Sequence, residues 1–150
     1  MRELYTEVTI EASAERVFEA LTDVERYSEW NPFIVYAKGK VAPGETLAIR
    51  IHPPGRAEQP YSIQVLRLVP GCEFVWLGHM IVPGILDGTH IFELFPEGAN
   101  RVRLVHREEF RGLLVPLIWN SFLNTRFRRG FEALNQNLKN LCESPSEKTG

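Results

Sequence analysis

The stretch that most constrains the fold is GTHIFELFPEGANRVRLVHREEF, residues 88–110. Two runs of alternating apolar and polar residues flank a turn-rich loop, Pro96-Glu97-Gly98-Ala99-Asn100, which is the pattern of a β-hairpin. Pairing Phe95 with Arg101 sets Leu94 opposite Val102, Phe92 opposite Leu104, His90 opposite His106 and Gly88 opposite Glu108. The other parity pairs Glu93 with Arg103 and Ile91 with Val105. An opposite-charge pair across strands is favourable, and a one-residue slip breaks both sets. One face then carries Phe92, Leu94, Val102, Leu104 and Phe110, with His90, His106 and Glu108 set among them. An apolar face with a few polar groups at one end suits the wall of a ligand pocket better than a solid core.

Three readings of His90, His106 and Glu108 stay open. They can be solvated near a sheet end, they can face a ligand, or they can bind a metal. Buried carboxylates are rare unless paired or hydrogen-bonded, which speaks for the first two. Two imidazoles and one carboxylate are a permitted zinc or iron set. No HExxH or similar local signature accompanies them, so no metal is assigned.

At 150 residues the chain is long enough for one core that buries about 70% of its unfolded surface. A net charge of -2 gives no sign of nucleic-acid binding. No apolar run approaches the roughly 20 residues of a membrane span, and the N-terminal MRELYTEVTIEAS has no signal-peptide core. Cys72 and Cys142 form no CxxC, which fits reduced thiols and a cytoplasmic location. There is no Gly-rich phosphate loop, so no nucleotide cofactor is expected, and no GxSxG nucleophile.

Along the chain, Leu4 to Glu11 alternates, with Leu4, Thr6, Val8 and Ile10 on one face of a strand. Ser13 caps a short helix, Ala14 to Leu21, and a second short helix around Val24 to Glu29 must end before Asn31-Pro32. Strands are predicted over Phe33–Val41, Glu45–His52, Tyr61–Val69 and Cys72–His79. If Arg67 pairs with Glu73 outside, then Gln64, Leu66, Phe74 and Trp76 face inward. The outer face, Tyr61, Ile63, Val65, Val75 and Leu77, is then too apolar for water, so either the parity is reversed or a partner covers it. Gly78 to Asp87 (GHMIVPGILD) reads either as a lid over a cavity mouth or as a bulged strand extension. Leu113 to Cys142 reads as one helix, with Trp119, Leu123, Phe127, Phe131, Leu134, Leu138 and Leu141 as its buried stripe. Glu143 to Gly150 is polar and expected to be a disordered tail.

This order, together with three stretches, resembles the START-like helix-grip fold of the SRPBCC superfamily. VTIEASAERVFEALTDVERYSEWNPF is similar to the opening of its polyketide cyclase/dehydrase-like members. GTHIFELFPEGANRVRLVHREEFRGLLVPL is similar to their late hairpin, and RRGFEALNQNLK to their helix end. The resemblance spans residues 3–142. It implies an α+β domain over 1–142: a bent antiparallel sheet of about seven strands wrapped around a long C-terminal helix, with two short helices after the first strand. It also implies a cavity between sheet and helix for a lipid, polyketide or similar apolar molecule. Fold alone does not separate carriers from cyclases.

The expected function is therefore binding or transport of a hydrophobic small molecule. The alternative is a cyclase or dehydratase using His90 and His106 as acid-base groups, with Glu108 orienting one imidazole. Expected ligand contacts are Trp30, Phe33, Phe74, Trp76, His90, Phe92, Leu104, His106, Glu108, Phe110, Trp119 and Phe122. Within that set, Phe74, Trp76, Phe92, Leu104 and Trp119 should line one chamber. Trp30 and Phe33 should meet Met80 to Leu86 at its mouth. A homodimer is left open.

Overall fold

A computed structural model describes residues 1–145. Its seven strands form one antiparallel sheet in the order β1-β7-β6-β5-β4-β3-β2. They are β1 (Arg2–Ile10), β2 (Ile34–Lys38), β3 (Thr46–Ile51), β4 (Gln59–Val69), β5 (Glu73–His79), β6 (Asp87–Gly98) and β7 (Arg101–Arg111). Between β1 and β2 lie α1 (Ala14–Thr22) and a 3-10 turn, Val24–Glu29, as the sequence predicts. Ser13 Oγ accepts the Arg16 N–H at 3.1 Å and caps α1. The Arg16 side chain then reaches the far end of the molecule. Its guanidinium donates to the carbonyls of Cys142 at 2.7 Å, Leu141 at 3.0 Å and Ser144 at 3.2 Å, which are the orphan acceptors of the C-terminal helix. Asn31 makes the break before β2, its side-chain oxygen accepting the N–H groups of Phe33 and Ile34.

Three expectations are corrected. First, the β6–β7 hairpin pairs two residues further along than predicted: His90 faces Glu108, Phe92 faces His106 and Leu94 faces Leu104. The loop is shorter than expected, because β6 continues through Pro96 to Gly98 with a bulge and only Ala99-Asn100 turn. An even slip leaves every side chain on its face, so the inward set survives. Across the strands Glu93 now takes Arg107, not Arg103, at 2.9 Å; Arg107 also binds Glu3 and Glu109, tying β1, β6 and β7 together outside.

Second, the parity of β4 is reversed upstream of Leu66. Ile63 and Val65 are buried, Gln64 and Leu66 exposed. The register shifts between Val65 and Arg67, so Arg67 still meets Glu73 outside while the residues before the bulge swap faces. Of the apolar row that seemed to need a partner, Ile63 and Val65 are core and Tyr61 packs against it, while Val75 and Leu77 stay on the face opposite Phe74 and Trp76.

Third, the C-terminal helix is not one α-helix. It runs as α2 (Val115–Ile118), a π-helical stretch (Trp119–Phe127) and α3 (Arg128–Glu143). Trp119, Leu123, Phe127 and Phe131 are each four apart and all buried. An α-helix turns every 3.6 residues, so a strict four-residue step drifts off one face. The wider i→i+5 turn holds it there. Beyond Phe131 the steps to Leu134 and Leu138 return to α spacing. Cys142, not Leu141, completes the buried stripe. Of the expected tail, Glu143 ends α3 and accepts the Glu11 N–H at 2.8 Å; residues 146–150 lie outside the described residues.

Gly130 lets this helix approach β2. A Cβ there would collide with the ring of Phe33, which packs edge-on against Phe127 and Phe131 at 5.1 and 5.5 Å. Alanine for glycine within a helix normally gains about 1 kcal/mol. Here Gly130→Ala should instead destabilise by about 1–3 kcal/mol through overpacking, read by chemical denaturation. Unchanged or raised stability would show that Phe33 yields freely.

Candidate functional site

The concave face of the hairpin brings His90, His106 and Glu108 together, all buried. His90 Nε2 lies 2.7 Å from His106 Nε2, and His90 Nδ1 lies 3.3 Å from Glu108 Oε1. Two residues not singled out from the sequence extend the chain. His106 Nδ1 is 2.8 Å from Asn135 Oδ1, the Asn135 amide donates to Thr6 Oγ1 at 2.9 Å, and Thr6 donates to the His106 carbonyl at 2.6 Å. Both carried a signal. Thr6 is a polar residue in the inward set of β1, and Asn135 follows Phe131 by four on the buried helix face.

The protons in this chain can be assigned by elimination. A carbonyl only accepts, so the Thr6 hydroxyl spends its hydrogen on His106 C=O. Thr6 must then accept from the Asn135 amide nitrogen, which turns Oδ1 toward His106. Oδ1 accepts from Nδ1–H, leaving His106 Nε2 as an acceptor for His90 Nε2–H. The last bond, His90 Nδ1 to Glu108, closes without net charge when the carboxyl is protonated. Each group is neutral and each donor has one acceptor.

Burial supports that state. It pushes the Glu108 carboxyl up to about 8 and the His90 imidazole down to about 3. His106 is held well below its ordinary value by burial and by the proximity of His90, against a smaller opposing effect of Asn135. The packing is apolar: His106 is stacked between Phe131, 4.0 Å away and 5° from parallel, and Phe92 at 4.5 Å, while His90 stacks on Trp76 at 4.5 Å. Gly88 makes room for the acid, since a Cβ there would strike Glu108 Oε2.

The broad chamber expected between sheet and helix is not open. Phe74, Phe92 and Leu104 are packed core, and Phe110 and Trp119 pack on each other at 6.4 Å. The space beside Glu108 and His90 is a recess of about 20 Å³, room for about one water. Of the expected contacts, Trp76, His90 and Glu108 line it. Ile49, Ile51, Tyr61, Ile63 and Met80 join them, the β4 residues hidden from the sequence reading by the bulge. Trp30 lies elsewhere, in an outer cleft with Arg16, Arg26 and Leu141, so it does not meet Met80. Phe33 is buried under Gly130, and Phe122 is half-buried beneath Arg56. His79, also beside the recess, is 2.6 Å from Asp87, whose other oxygen accepts the Gly84 N–H at 2.9 Å. Among the described residues no group of three His, Cys, Asp or Glu side chains is arranged to hold a metal ion, and no helix is long and apolar enough to cross a membrane.

A curled seven-stranded sheet gripping a C-terminal helix defines a START-like, helix-grip protein. The chain belongs to the family described as polyketide cyclase/dehydrase and lipid transport, whose model matches residues 1–143. Among solved structures it is similar to the ZhuI aromatase/cyclase from Streptomyces sp. R1128, with 19% identity, a TM-score of 0.81, and 99% and 98% of the two chains covered. A START superfamily protein from Mycobacterium smegmatis gives 18%, 0.73, 94% and 97%. Norcoclaurine synthase from Thalictrum flavum, in complex with dopamine and hydroxybenzaldehyde, gives 11%, 0.72, 93% and 85%. These likenesses establish the fold. No curated protein matches the sequence.

The neutral chain sets a pH signature. The folded state keeps Glu108 protonated up to about 8, whereas the unfolded carboxyl ionises above its ordinary 4.5, so stability falls between those values as pH rises. The imidazoles work in the opposite sense: unfolded histidines protonate below about 6.5, so stability also falls toward acid. Their sum peaks near pH 6.5, and the alkaline limb falls by less than the roughly 1.4 kcal/mol per pH unit of a full proton, because the unfolded imidazoles still hold some protons there and the folded Glu108 begins to lose its own. Glu108→Gln, which also donates to His90, should flatten that limb in denaturant titrations at pH 6.5–8. An unchanged limb would place the alkaline loss elsewhere.

Proposed function

We propose that the protein binds an uncharged, hydroxyl-bearing apolar molecule under the concave face of the sheet. Its polar end sits at Glu108, its body along Ile49, Ile51, Ile63 and Trp76. The observation that carries this reading is the directed hydrogen-bond chain. Every imidazole nitrogen is consumed within it, so what remains to face the recess is the second oxygen of Glu108. With its proton given to His90, that oxygen is an acceptor and suits a ligand hydroxyl. A carboxylate or phosphate headgroup would meet an acceptor and no cation. The family description, which includes lipid transport, and the cyclase-like neighbours support an apolar ligand.

Ligand sites usually enclose about 300–1,000 Å³. A recess of about 20 Å³ is thus a closed form, and Met80 and Tyr61 must swing aside on binding. Fluorescence titration with pyrenemethanol and with pyrenecarboxylate tests this. The alcohol should bind one-to-one and quench Trp76, the acid at least tenfold more weakly, and Ile63→Phe should abolish both without altering the circular dichroism. Equal binding of alcohol and acid, or binding that survives Ile63→Phe, would overturn it.

A second reading, proton transfer on the bound molecule, rests on the His79–Asp87 pair. It stands beside the same recess as Glu108, a base and an acid flanking one site. In this version His79 replaces the expected His90 and His106, whose nitrogens are occupied. Turnover of a hydroxylated aromatic ligand by the wild type, lost in His79→Gln with binding retained, would favour it. Recovery of the ligand unchanged would favour the carrier.

A further inference from the structure

One end of the sheet carries an apolar surface that the fold does not use. Four large aliphatic side chains stand there more than half exposed: Leu113 at 78%, Leu117 at 77%, Ile81 at 57% and Val82 at 54%. They come from two segments joined by the backbone, since Leu113 N–H donates to Gly84 C=O at 3.1 Å and Leu114 N–H to Ile85 C=O at 3.0 Å. Leu113 lies in the turn just before α2, and Leu117 lies within α2. Single exposed aliphatics need no explanation, but four on two linked segments form a patch of the kind that meets a partner or a membrane.

The surrounding charge indicates which. Arg2 lies over the Trp119 ring at 5.5 Å and Arg56 over the Phe122 ring at 5.3 Å. Both rings belong to the helical run that begins at Leu113–Leu117, and neither arginine is in an ion pair among the described residues. Arg111, 65% exposed, precedes the patch directly. The carboxylates of this end are occupied: Asp87 by His79, Glu58 by Arg50, and Glu109 by Arg107 and Arg111. Aliphatic tips accompanied by Arg2 and Arg56, which have no carboxylate partner among the described residues, match a bilayer, where the tips enter the acyl boundary and the guanidinium groups meet lipid phosphates. A second copy of the same patch would set these arginines against one another.

We infer that this end of the protein docks on an anionic lipid surface through Ile81, Val82, Leu113 and Leu117, with Arg2 and Arg56 at the headgroups. The docking segment runs into Met80, which lines the recess, so the face that meets lipid is also the face through which an apolar ligand would pass. The inference stands on exposure and charge and does not require the proposed ligand; Ile63→Phe removes ligand binding and leaves docking in place.

Flotation with phosphatidylcholine vesicles, with and without phosphatidylglycerol, tests it. Wild type should float with the mixed vesicles and less so as salt rises. Leu113→Ser/Leu117→Ser should lower the partition at least tenfold. These side chains are exposed, so circular dichroism and melting should not change. Arg2→Gln/Arg56→Gln should remove the preference for anionic vesicles and keep residual apolar binding. Three results overturn the inference: failure of the wild type to float, equal flotation of the double-serine variant, or a wild-type dimer in sedimentation velocity that the same variant dissociates. The last would assign the patch to a second copy.

Discussion

Five side chains from four elements form one polar run: Glu108 lies 3.3 Å from His90, and hydrogen bonds lead from His90 to His106 to Asn135 to Thr6 and end on the His106 backbone. Each bond contributes only about 1 kcal/mol net, yet leaving any one of these buried groups without its partner costs about 1–3 kcal/mol. The chain is therefore an all-or-none specification. It fixes α3 against β1 and β7 at one rotation and one height, because Asn135 has to sit between Thr6 and His106. Much of the local sequence can be understood as serving it. Gly88 has no side chain where the Glu108 carboxyl lies, and Phe92 and Phe131 enclose His106 in a slot that disfavours its charged form. The π-helical stretch delivers Phe131 to that slot with the preceding aromatics still in line.

The polar chain also narrows what the site can do. An imidazole that donates at one nitrogen and accepts at the other has nothing left to offer a ligand. On the proposed reading, His90 and His106 act through Glu108, positioning and tuning it, and contact with a bound molecule falls to that carboxyl. The contrast with His79 is instructive. It is 41% exposed at the end of the central strand β5 and oriented by Asp87. His79 and Asp87 lie near the end of the sheet that presents Leu113 and Leu117, and Met80, which lines the recess, lies at the same end.

Much of this was legible in the residues. The alternation of β1 and of the hairpin put Thr6, His90, His106 and Glu108 on the inner face, and an error of two residues in register changed the pairs but not the faces. What failed was whatever broke a period. The bulge at Leu66 inverts β4, so alternation counted back from Arg67 places Ile63 and Val65 on the wrong face. The four-residue spacing of Trp119 to Phe131 resembles an ordinary helix stripe, although it departs from α periodicity. The place of Asn135 four residues after Phe131 marks it as buried, but its role is defined only by its partners on other elements, Thr6 and His106. Cavity size could not be read at all, since it depends on rotamers, and the large rings fill the space that inward parity alone leaves empty.

The central claim is that the buried chain is neutral and directed. The ¹⁵N resonances of the two imidazoles test it most directly, in two-bond ¹H–¹⁵N spectra recorded from pH 5 to 8. The account predicts that neither ring titrates across that range, with His106 as the Nδ1–H tautomer and His90 as the Nε2–H tautomer. A titration of either ring near its ordinary value, or the same tautomer on both, would contradict it.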